Sequence, residues 1–532
     1  MFIDKESIAK KLFFTGTVFL VLLVGIFIFY SNLRLVGNFK PYYAKSYFAS
    51  FTYRVANPYS NLAGLFSFFR SPGEVYQKTD FKTAVSIPVL TYHGAVGSAD
   101  GVNVEIDTFI DQMKALKRSG WQTITIDEYY KWYKGETSVP EKSFLLTFDD
   151  GRKDGYYPVE PILNALDYNA AVFVITKYSF LEEKSTYYLT QEELLEMQES
   201  GHWEIQSHAY EVHDDLAKIS AEGDLGHALS NLLWLEDEGR LETEEEFRAR
   251  IFRDFSESKR VIEEAIGREV LSFAFPFGDF GEGTVNFPKA KEIILETGRP
   301  IYPLMFHQQK SGDLYTFNYQ NGPESEAGLV RRISVEANWS GEDLLKILGQ
   351  GVPKNFPYSD NFSENRGWLS SGWGEYNLKE NELYLGASPT GTGNVVILNG
   401  TGHWKDYDLD ASVTWPRGRN IYIWGRYVND RNYIACNFAK NLIHIEQIHD
   451  GSLNVIKGTE DKFNFPASGE EFEIGMRISG RHAECLLNGQ VVVETDFLNP
   501  ELDHGGIGFK SWDPQLGVSQ FIIKSLDVSE VN

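Results

Sequence analysis

The stretch FLLTFDDG, residues 144 to 151, decides the fold of this chain. Its first five residues read as a short apolar strand, and that strand passes directly into Asp149, Asp150 and Gly151. Two adjacent carboxylates at the point where a strand leaves the core repel each other unless a positive charge holds them. A divalent metal is the simplest such charge, with one Asp as its ligand and the other free to act as a base.

Around this stretch, strand-like and helix-like segments alternate. Predicted strands cover residues 87–90, 122–126, 143–148, 170–175 and 203–206, and predicted helices cover 108–119, 158–166 and 191–199. This alternation indicates βα units around a parallel sheet. Because α/β barrels build their active sites at the C-terminal ends of the strands, the residues that follow each strand are the candidates for function.

Two further strand ends carry such candidates. The strand at 203–206 leads into SHAYEVH, residues 207–213, which places His208 and His213 five residues apart. Two His and one Asp suit zinc with an open position for water. A strand at 271–275 enters the turn formed by Pro276, Phe277 and Gly278. Such a turn can aim a backbone N–H into a pocket, where it would stabilise an oxyanion.

In this order, the motifs TFDDG (147–151), SHAYEVH (207–213) and FAFPFG (273–278) resemble those of the polysaccharide deacetylase family, also called carbohydrate esterase family 4. The resemblance covers about residues 86–350. It implies an α/β fold, the distorted (β/α) barrel of the NodB homology domain, which removes acetyl groups from N-acetylated sugars. It also implies Asp149 as the general base, Asp150, His208 and His213 as ligands of a divalent metal, expected to be Zn2+, and the Phe277 backbone N–H as the oxyanion donor.

The chain departs from the common family pattern at two places. Many members carry an Arg two residues before the Pro of the third motif, where it restrains the base, but this chain has Ala274 there. The group that restrains Asp149 is therefore not identified by the motif. His202, directly before the strand that leads into the second motif, looks like a second-line residue that supports the site without contacting the reacting atoms.

The second departure concerns the general acid. Many members take it from a late Leu-x-His motif, whereas the poly-β-1,6-N-acetylglucosamine deacetylases of biofilm exopolysaccharide systems use a His after the first strand. The segment PVLTYH, residues 88–93, fits that branch and makes His93 the predicted acid. The alternative is His307 in LMFH, residues 304–307. We favour His93 because it lies immediately past a strand, where barrel sites form.

By this resemblance the chain is a metal-dependent N-deacetylase of N-acetylglucosamine-type units in an extracellular or cell-envelope polysaccharide. Asp149 would take a proton from water, and His93 would protonate the departing amine. A peptidoglycan or chitin-type deacetylase, or an O-acetyl esterase, could use the same residues because they do not encode the linkage. A non-catalytic glycan-binding envelope protein is the alternative outside enzymes, and the intact site residues argue against it.

The N-terminal region predicts a membrane anchor. An uncharged stretch begins at Leu12 and ends at Tyr30, and about 19 helical residues span the roughly 30 Å hydrocarbon core of a bilayer. No small-x-small cleavage site follows, so we expect the stretch to be retained. The predicted organisation is a cytoplasmic tip and transmembrane helix at 1–35, a juxtamembrane linker at 36–85 and a deacetylase domain at 86–352 in the periplasm or outside the cell.

The composition limits the partners. The 532 residues carry a net charge of −25 without a basic stripe, which disfavours nucleic acid binding. The expected partners are the acetylated polysaccharide, the membrane and the machinery of polysaccharide synthesis or export. Cys436 and Cys485 can form at most one disulfide, and the sequence leaves open whether they pair.

Residues 356–532 differ from the middle of the chain. Short strands separated by Gly, Asn and Asp turns predict an antiparallel sandwich. The pattern resembles concanavalin-like jelly rolls, including laminin-G-type modules, and makes this part a candidate carbohydrate-binding module. Its aromatic residues could stack on sugars or fill the sandwich core: Trp404, Trp415, Trp424, Tyr427 and Trp512.

Overall fold

The computed structural model describes residues 82–180, 185–213, 216–308, 315, 317–320, 328–370, 374–439, 441–459 and 465–531. A parallel barrel is followed by two antiparallel sheets, which confirms the predicted α/β barrel and the predicted all-β second part. Across these ranges, no helix is both long and apolar enough to cross a membrane. The predicted anchor at residues 12–30 lies outside the described residues.

The first part contains the barrel and several short strand pairs. Its strands are β1 (Ser86–Ile87), β2 (Val89–Tyr92), β3 (Ala95–Val96), β4 (Val104–Glu105), β5 (Gln122–Thr123), β6 (Ser143–Phe148), β7 (Ala170–Val174), β8 (Trp203–Ser207), β9 (Ala217–Lys218), β10 (Leu225–Gly226), β11 (Trp234–Leu235), β12 (Arg240–Leu241), β13 (Ser272–Ala274), β14 (Leu304–Gln308), β15 (Asn318–Tyr319) and β16 (Leu329–Ser334). The barrel closes in the order β2, β16, β14, β13, β8, β7, β6 and back to β2, and all of these pairings are parallel.

Helices cover the outside of the barrel. They are α1 (Ile106–Arg118), α2 (Ile126–Tyr133), α3 (Glu160–Leu166), α4 (Thr176–Ser179), α5 (Gln191–Ser200), α6 (Glu244–Ile266), α7 (Ala290–Gly298) and α8 (Gly341–Gln350), with 3-10 turns η1 (Lys153–Gly155) and η2 (Pro276–Gly278). The predicted strand at 122–126 is shorter than expected, because Thr125 caps α2 by accepting a hydrogen bond from the Glu128 backbone N–H. This capping box starts a helix where the sequence pattern alone continued the strand.

Side chains alternate between the barrel interior and the helices, as the period of two in a strand requires. In β6, Phe144 and Leu146 belong to the large outer core with the helices, whereas Leu145 belongs to a separate inner cluster. The barrel strands contribute further apolar residues to this inner cluster, which forms an apolar plug: Val89, Ala171, Phe173, Ala274, Leu304, Phe306 and Val330. Inward-facing residues beyond this plug therefore meet at one end of the barrel.

The second part is a sandwich of two antiparallel sheets. Its strands are β17 (Tyr358–Asp360), β18 (Trp368–Ser370), β19 (Glu375–Lys379), β20 (Glu382–Gly386), β21 (Gly393–Leu398), β22 (Tyr407–Arg417), β23 (Asn420–Asn429), β24 (Asn432–Ala439), β25 (Leu442–His449), β26 (Ser452–Thr459), β27 (Glu471–Ser479), β28 (His482–Leu487), β29 (Gln490–Thr495), β30 (Gly506–Trp512) and β31 (Gln520–Glu530). One sheet has the order β19-β20-β31-β22-β27-β28-β29 with β17 on β31, and the other has the order β18-β21-β30-β23-β24-β25-β26. Cys436 on β24 and Cys485 on β28 form a disulfide that joins the two sheets.

The aromatic residues of the sandwich fall into two groups. Trp404 and Trp415 are buried in the core between the sheets. Trp424 and Tyr427 belong to a separate cluster, against which Trp512 packs. On β23, Ile421 and Ile423 contribute to the core, so the alternation of the strand places Trp424 on the side of the sheet away from that core. The structure thus separates residues that the sequence could not distinguish.

A buried carboxyl at the other end of the barrel makes stability depend on pH. Glu204 on β8 accepts a hydrogen bond from the Ile126 backbone N–H at 2.5 Å. Burial raises its pKa to about 7, although the backbone hydrogen bonds oppose this. In the unfolded chain this carboxyl ionises near its ordinary pKa of 4.5. As pH rises through this window, the unfolded chain therefore releases a proton that the folded protein retains, and the folded state is destabilised.

We expect Glu204→Gln to remove this effect. At pH 8 the variant should gain stability relative to the unchanged chain, by up to about 3 kcal/mol, and the gain should disappear near pH 4. Urea unfolding of both proteins across this pH range measures the difference. Glu105→Gln, at an exposed position, is the matched control. A stability difference that does not change with pH would contradict the prediction.

Candidate active site

Asp149 is held by a buried arginine at the C-terminal end of the barrel. Arg332, on β16, donates from Nη1 to Asp149 Oδ1 at 2.6 Å and from Nη2 to Oδ2 at 2.7 Å, and both side chains are fully buried. Gln308 on β14 adds a hydrogen bond to Oδ2 at 3.1 Å. Burial opposes ionisation, but the charge and hydrogen bonds of Arg332 together with the charges of His208 and His93 outweigh it and keep the pKa of Asp149 below its ordinary value. Asp149 is therefore an ionised carboxylate in a fixed orientation.

Arg332 is the group that restrains Asp149. Sequence reasoning did not identify it, because the third motif has Ala274 where many family members have an arginine. β13, which carries Ala274, is separated from β16 by one strand, β14. The guanidinium that restrains Asp149 is therefore on β16, whereas the common family motif carries its arginine at the position of Ala274 on β13. The available signal was the pair Arg331-Arg332 inside an apolar strand, because arginine is almost never fully buried without a partner.

Asp150, His208 and His213 form a three-residue group that could hold a metal ion, with ligand atoms all within 4.8 Å of one another. Asp150 Oδ1 lies 3.5 Å from His208 Nε2 and 3.3 Å from His213 Nε2. Two ligands bound at about 2.1 Å to a tetrahedral zinc are about 3.4 Å apart. Among the described residues, the buried Oδ1 of Asp150 has no hydrogen-bond partner. The three side chains therefore fit one divalent cation.

Neighbouring groups orient the His208 ring and keep the Asp150 carboxyl ionised. His208 Nδ1 lies 2.8 Å from the Ala274 carbonyl oxygen, so Nδ1 carries the proton and Nε2 keeps its lone pair towards Asp150. Burial works against the charge of Asp150, but the two imidazoles outweigh it and keep its pKa well below the ordinary value. Arg152 Nη1 lies 3.8 Å from Asp150 Oδ2. The carboxylate is thus ionised and ready to bind a cation.

Asp254 on α6 fixes the turn that carries His213. Its buried carboxylate accepts hydrogen bonds from three successive backbone N–H groups, those of Tyr210 (3.0 Å), Glu211 (2.9 Å) and Val212 (3.1 Å). Sequence reasoning missed Asp254 because it is 41 positions beyond His213 in the printed sequence, within a charged helix. α6 therefore serves the site although it contributes no metal ligand.

Left-handed backbone conformations cluster at the site. Asp150 has φ 70°, Ala209 has φ 75° and Phe277 has φ 59°. Such conformations in non-glycine residues are sparsely populated and tend to occur at functional sites. Gly151 follows with φ 66°, and a Cβ there would lie 2.9 Å from Val174 Cγ1. The chain therefore turns sharply directly after Asp150, and only glycine fits the next position.

The structure also distinguishes the three candidate histidines. The Asp149 backbone N–H donates to the Tyr92 carbonyl at 3.0 Å, which places His93 beside Asp149 at the end of β2. His307 is on β14 next to Gln308, and its ring contacts Phe280 at 4.9 Å. Since Gln308 faces the interior, His307 faces outwards. His202 precedes β8 at the opposite end of the strand, 3.1 Å from the Tyr168 carbonyl oxygen. Of the three, His93 is the one at the site.

Electrostatics at His93 bear on its predicted role as an acid. Burial lowers the pKa of the imidazole, while the charges of Asp149 and Asp150 act in the opposite direction. The net direction is down, so the free protein favours neutral His93. A role as general acid therefore requires His93 to gain its proton in the substrate complex.

Phe277 lies in η2 at the rim of the site. Its ring is 47% exposed and contacts the His213 ring at a centroid distance of 4.9 Å. This contact brings Phe277 next to the metal-ligand group. The oxyanion role of its backbone N–H stays a prediction.

Comparisons with known proteins agree with this geometry. Residues 136–293 match the family model described as polysaccharide deacetylase. Poly-β-1,6-N-acetyl-D-glucosamine N-deacetylase of Escherichia coli (strain K12) is 26% identical over 189 residues, which cover 34% of this chain and 28% of that protein. The enzyme of the same name from Staphylococcus aureus (strain MSSA476) is 25% identical over 177 residues, which cover 33% of this chain and 54% of that protein.

A solved structure of a de-N-acetylase from Aggregatibacter actinomycetemcomitans aligns with a TM-score of 0.41 and 20% identity, over 49% of this chain and 99% of that one. The matched region spans between 28% and 54% of the length of the two curated relatives.

The buried ion pair leads to a stability prediction. Removing one partner of a buried pair leaves an uncompensated charge and costs about 3–5 kcal/mol. We expect Arg332→Met to lose about this much, and Asp149→Asn/Arg332→Met to recover part of it because no charge is left unpaired. Chemical unfolding of the two single variants and the double variant measures the coupling energy. Strictly additive effects would contradict the prediction.

Proposed function

We propose that this chain, whose residues 136–293 carry a polysaccharide deacetylase domain, is a metal-dependent N-deacetylase. It would remove acetyl groups from N-acetylglucosamine-type units of an extracellular or cell-envelope polysaccharide. The observation that carries the proposal is the juxtaposition of the Asp149–Arg332 ion pair with the ligand group of Asp150, His208 and His213. A fixed base beside a three-ligand metal site is the combination that metal-assisted amide hydrolysis needs.

We propose Zn2+ as the ion, since two imidazoles, one carboxylate and an open position are a common catalytic zinc set. When bound, the ion would act as a Lewis acid towards the acetyl carbonyl and towards water. Asp150, His208 and His213 would hold it. The hydrogen bond from His208 Nδ1 to the Ala274 carbonyl keeps the ring orientation fixed.

Asp149 would act as the general base. Its carboxylate is ionised and oriented by Arg332 and Gln308, so it could take the proton of the attacking water without reorganising. Because Arg332 occupies both oxygens, the pair also limits how basic Asp149 is. This arrangement favours orientation over proton affinity, and orientation itself contributes strongly to rate.

His93 and Phe277 would complete the site. An amide nitrogen leaves poorly unless it is protonated, and His93, beside Asp149, is placed to donate that proton. Phe277 has a left-handed backbone and its ring contacts that of His213, and its backbone N–H could stabilise the developing oxyanion. The products would be acetate and a glucosamine unit.

The two curated relatives are named for poly-β-1,6-N-acetyl-D-glucosamine, and we propose this polymer as the first substrate to test. The site residues do not encode the glycosidic linkage. Peptidoglycan, chitin-type oligomers and O-acetyl esters are therefore the alternative substrates. The non-catalytic alternative, an envelope glycan-binding protein, is disfavoured by the complete set of base and ligands.

We propose that the catalytic part faces the periplasm or the exterior of the cell, held by the predicted anchor at residues 12–30 and acting beside the machinery of polysaccharide synthesis or export. The disulfide between Cys436 and Cys485 supports this location, because disulfides persist in oxidising compartments and are rare in the cytosol.

The sandwich could bind the polymer as well. Trp424 stacks with Tyr433 at a centroid distance of 4.2 Å and with Tyr427 at 5.3 Å, on the side of its sheet away from the core. Trp424 and Tyr427 are buried in this cluster, whereas Trp512 packs against it and is partly exposed, so a sugar ring could stack on Trp512. Loss of retention on an immobilised glycan in Trp512→Ala, but not in Trp404→Phe within the core, would support this second role.

Acetate release is the direct test of the main proposal. We expect the purified, zinc-loaded chain to release acetate from one of three substrates assayed side by side: poly-β-1,6-N-acetylglucosamine, chitin oligomers and peptidoglycan. Asp149→Asn should lower the rate at least about 100-fold while the metal stays bound, and Asp150→Ala should lose both metal and activity. Asp237→Asn, at an exposed position, is the control.

A near-normal rate in Asp149→Asn would contradict the assignment of the base. A chain that binds metal but releases no acetate from any of these substrates would point to an O-acetyl substrate. A chain that neither binds metal nor releases acetate would support the glycan-binding alternative.

The choice between His93 and His307 can be tested with two leaving groups. Because an amine needs protonation and 4-nitrophenolate does not, we expect His93→Ala to slow amide hydrolysis at least about 100-fold and ester hydrolysis of 4-nitrophenyl acetate far less. His307→Ala should change both rates only slightly. Steady-state kcat for both substrates measures the effect, and the reverse pattern would assign the acid to His307.

A further inference from the structure

Phe277 combines two features that need support from the surrounding protein. Its backbone is left-handed, with φ 59° and ψ 11°, a conformation that is unfavourable for a bulky L-residue. Its ring is also close to half exposed, so burial alone does not hold it. Neighbouring groups therefore have to keep this turn in place.

Two imidazoles contact the Phe277 ring. The His227 ring lies nearly parallel to it, with a centroid distance of 4.4 Å and an interplanar angle of 9°. The His213 ring contacts it at 4.9 Å and 31°. Phe277 thus connects His227 with His213, which belongs to the metal-ligand group.

His227 is itself held by a buried carboxylate. Its Nδ1 lies 2.9 Å from Asp279 Oδ2, and Asp279 is only 5% exposed. The other carboxylate oxygen of Asp279 accepts hydrogen bonds from the backbone N–H groups of Gly281 (3.0 Å) and Gly283 (2.9 Å). The Asp279 carboxylate cannot turn without breaking these bonds, so it fixes the plane of the His227 ring.

The backbone around His227 is tied to the same loop. Asn231 donates to the His227 carbonyl at 3.0 Å and accepts from the Val285 backbone N–H at 2.9 Å. Asn286 accepts from the Leu232 backbone N–H at 3.0 Å. The segment between His213 and α6 is therefore bound to the loop after η2 at several points, which keeps His227 against Phe277.

We infer that His227, oriented by Asp279, is a positioning residue: by stacking on Phe277 it holds the η2 turn and, through the Phe277 ring, the orientation of His213. The inference rests on the proposed function. It assigns a role to a segment that carries none of the deacetylase motifs. It also explains how an exposed aromatic residue keeps a left-handed backbone beside the metal ligands.

A direct role as a metal ligand does not fit His227. Its Nδ1 is used by Asp279, and in the described part of the chain the ligand atoms that come together at this site belong to Asp150, His208 and His213. The contact of His227 with the site runs through the ring of Phe277. The effect of substituting His227 should therefore depend on whether an aromatic ring remains, and not on whether the new side chain can bind a metal.

Three variants separate stacking from the other contributions of His227. His227→Ala removes the ring, whereas His227→Phe keeps a ring and loses the hydrogen bond to Asp279. The matched control is His444→Ala in the sandwich, which removes an imidazole with its Nε2 2.9 Å from Glu446 Oε2. Zinc affinity by chelator competition, and kcat and KM for acetate release at saturating zinc, are measured for each. Circular dichroism checks that each variant is folded.

We expect His227→Ala to weaken zinc binding about ten-fold, as is typical for groups that orient a metal ligand. It should also lower kcat about three- to ten-fold, the range that one aromatic stack provides, with little change in KM. His227→Phe should restore most of both losses, and His444→Ala should change neither.

Unchanged zinc affinity and kcat in folded His227→Ala would overturn the inference, and so would a His227→Phe variant as impaired as His227→Ala. Zinc affinity needs no substrate, so it tests His227 even if the unchanged chain releases no acetate. In that case the proposed function would be contradicted, and the zinc-affinity data alone would decide whether His227 is a positioning residue.

Discussion

Two adjacent carboxylates, Asp149 and Asp150, leave the buried strand β6 together, and the arrangement of the site follows from their charge. Burying an ionised carboxylate costs several kcal/mol unless it is paired and hydrogen-bonded. Arg332 compensates Asp149 with two parallel hydrogen bonds, whereas Asp150 faces two imidazoles. The two neighbours therefore have different partners, and this difference separates a carboxylate held in one orientation from one that could bind a metal ion.

The barrel makes this division possible. Parallel strands deliver their inward-facing residues to one end, so β6, β14 and β16 bring Asp149, Gln308 and Arg332 together although they are far apart in the chain. The interior below them is an apolar plug that includes Phe173 and Phe306. In these surroundings of low dielectric constant, the charged groups interact strongly with one another and have little access to water.

The second part of the chain packs against the barrel. Lys354 donates to the Asn399 carbonyl at 2.6 Å, and the Tyr319 ring contacts His403 at 4.4 Å. Gln308, which contacts Asp149, also lines a cavity together with residues of the sandwich. The sandwich has its own core and its own disulfide. Its residues therefore come next to Gln308, at the edge of the candidate site.

The sequence by itself determined the barrel, the all-β second part and the local motifs that carry Asp149, Asp150, His208, His213 and Phe277, because strand periodicity and turn chemistry depend on residues close together in the chain. It could not identify Arg332, Asp254 or His227 as parts of the site. Each of these acts on a motif from a distant segment, and no local pattern records that contact. Only the closure of the barrel and the packing of α6 decided which arginine compensates Asp149, which histidine lies beside it, and which ring stacks on Phe277.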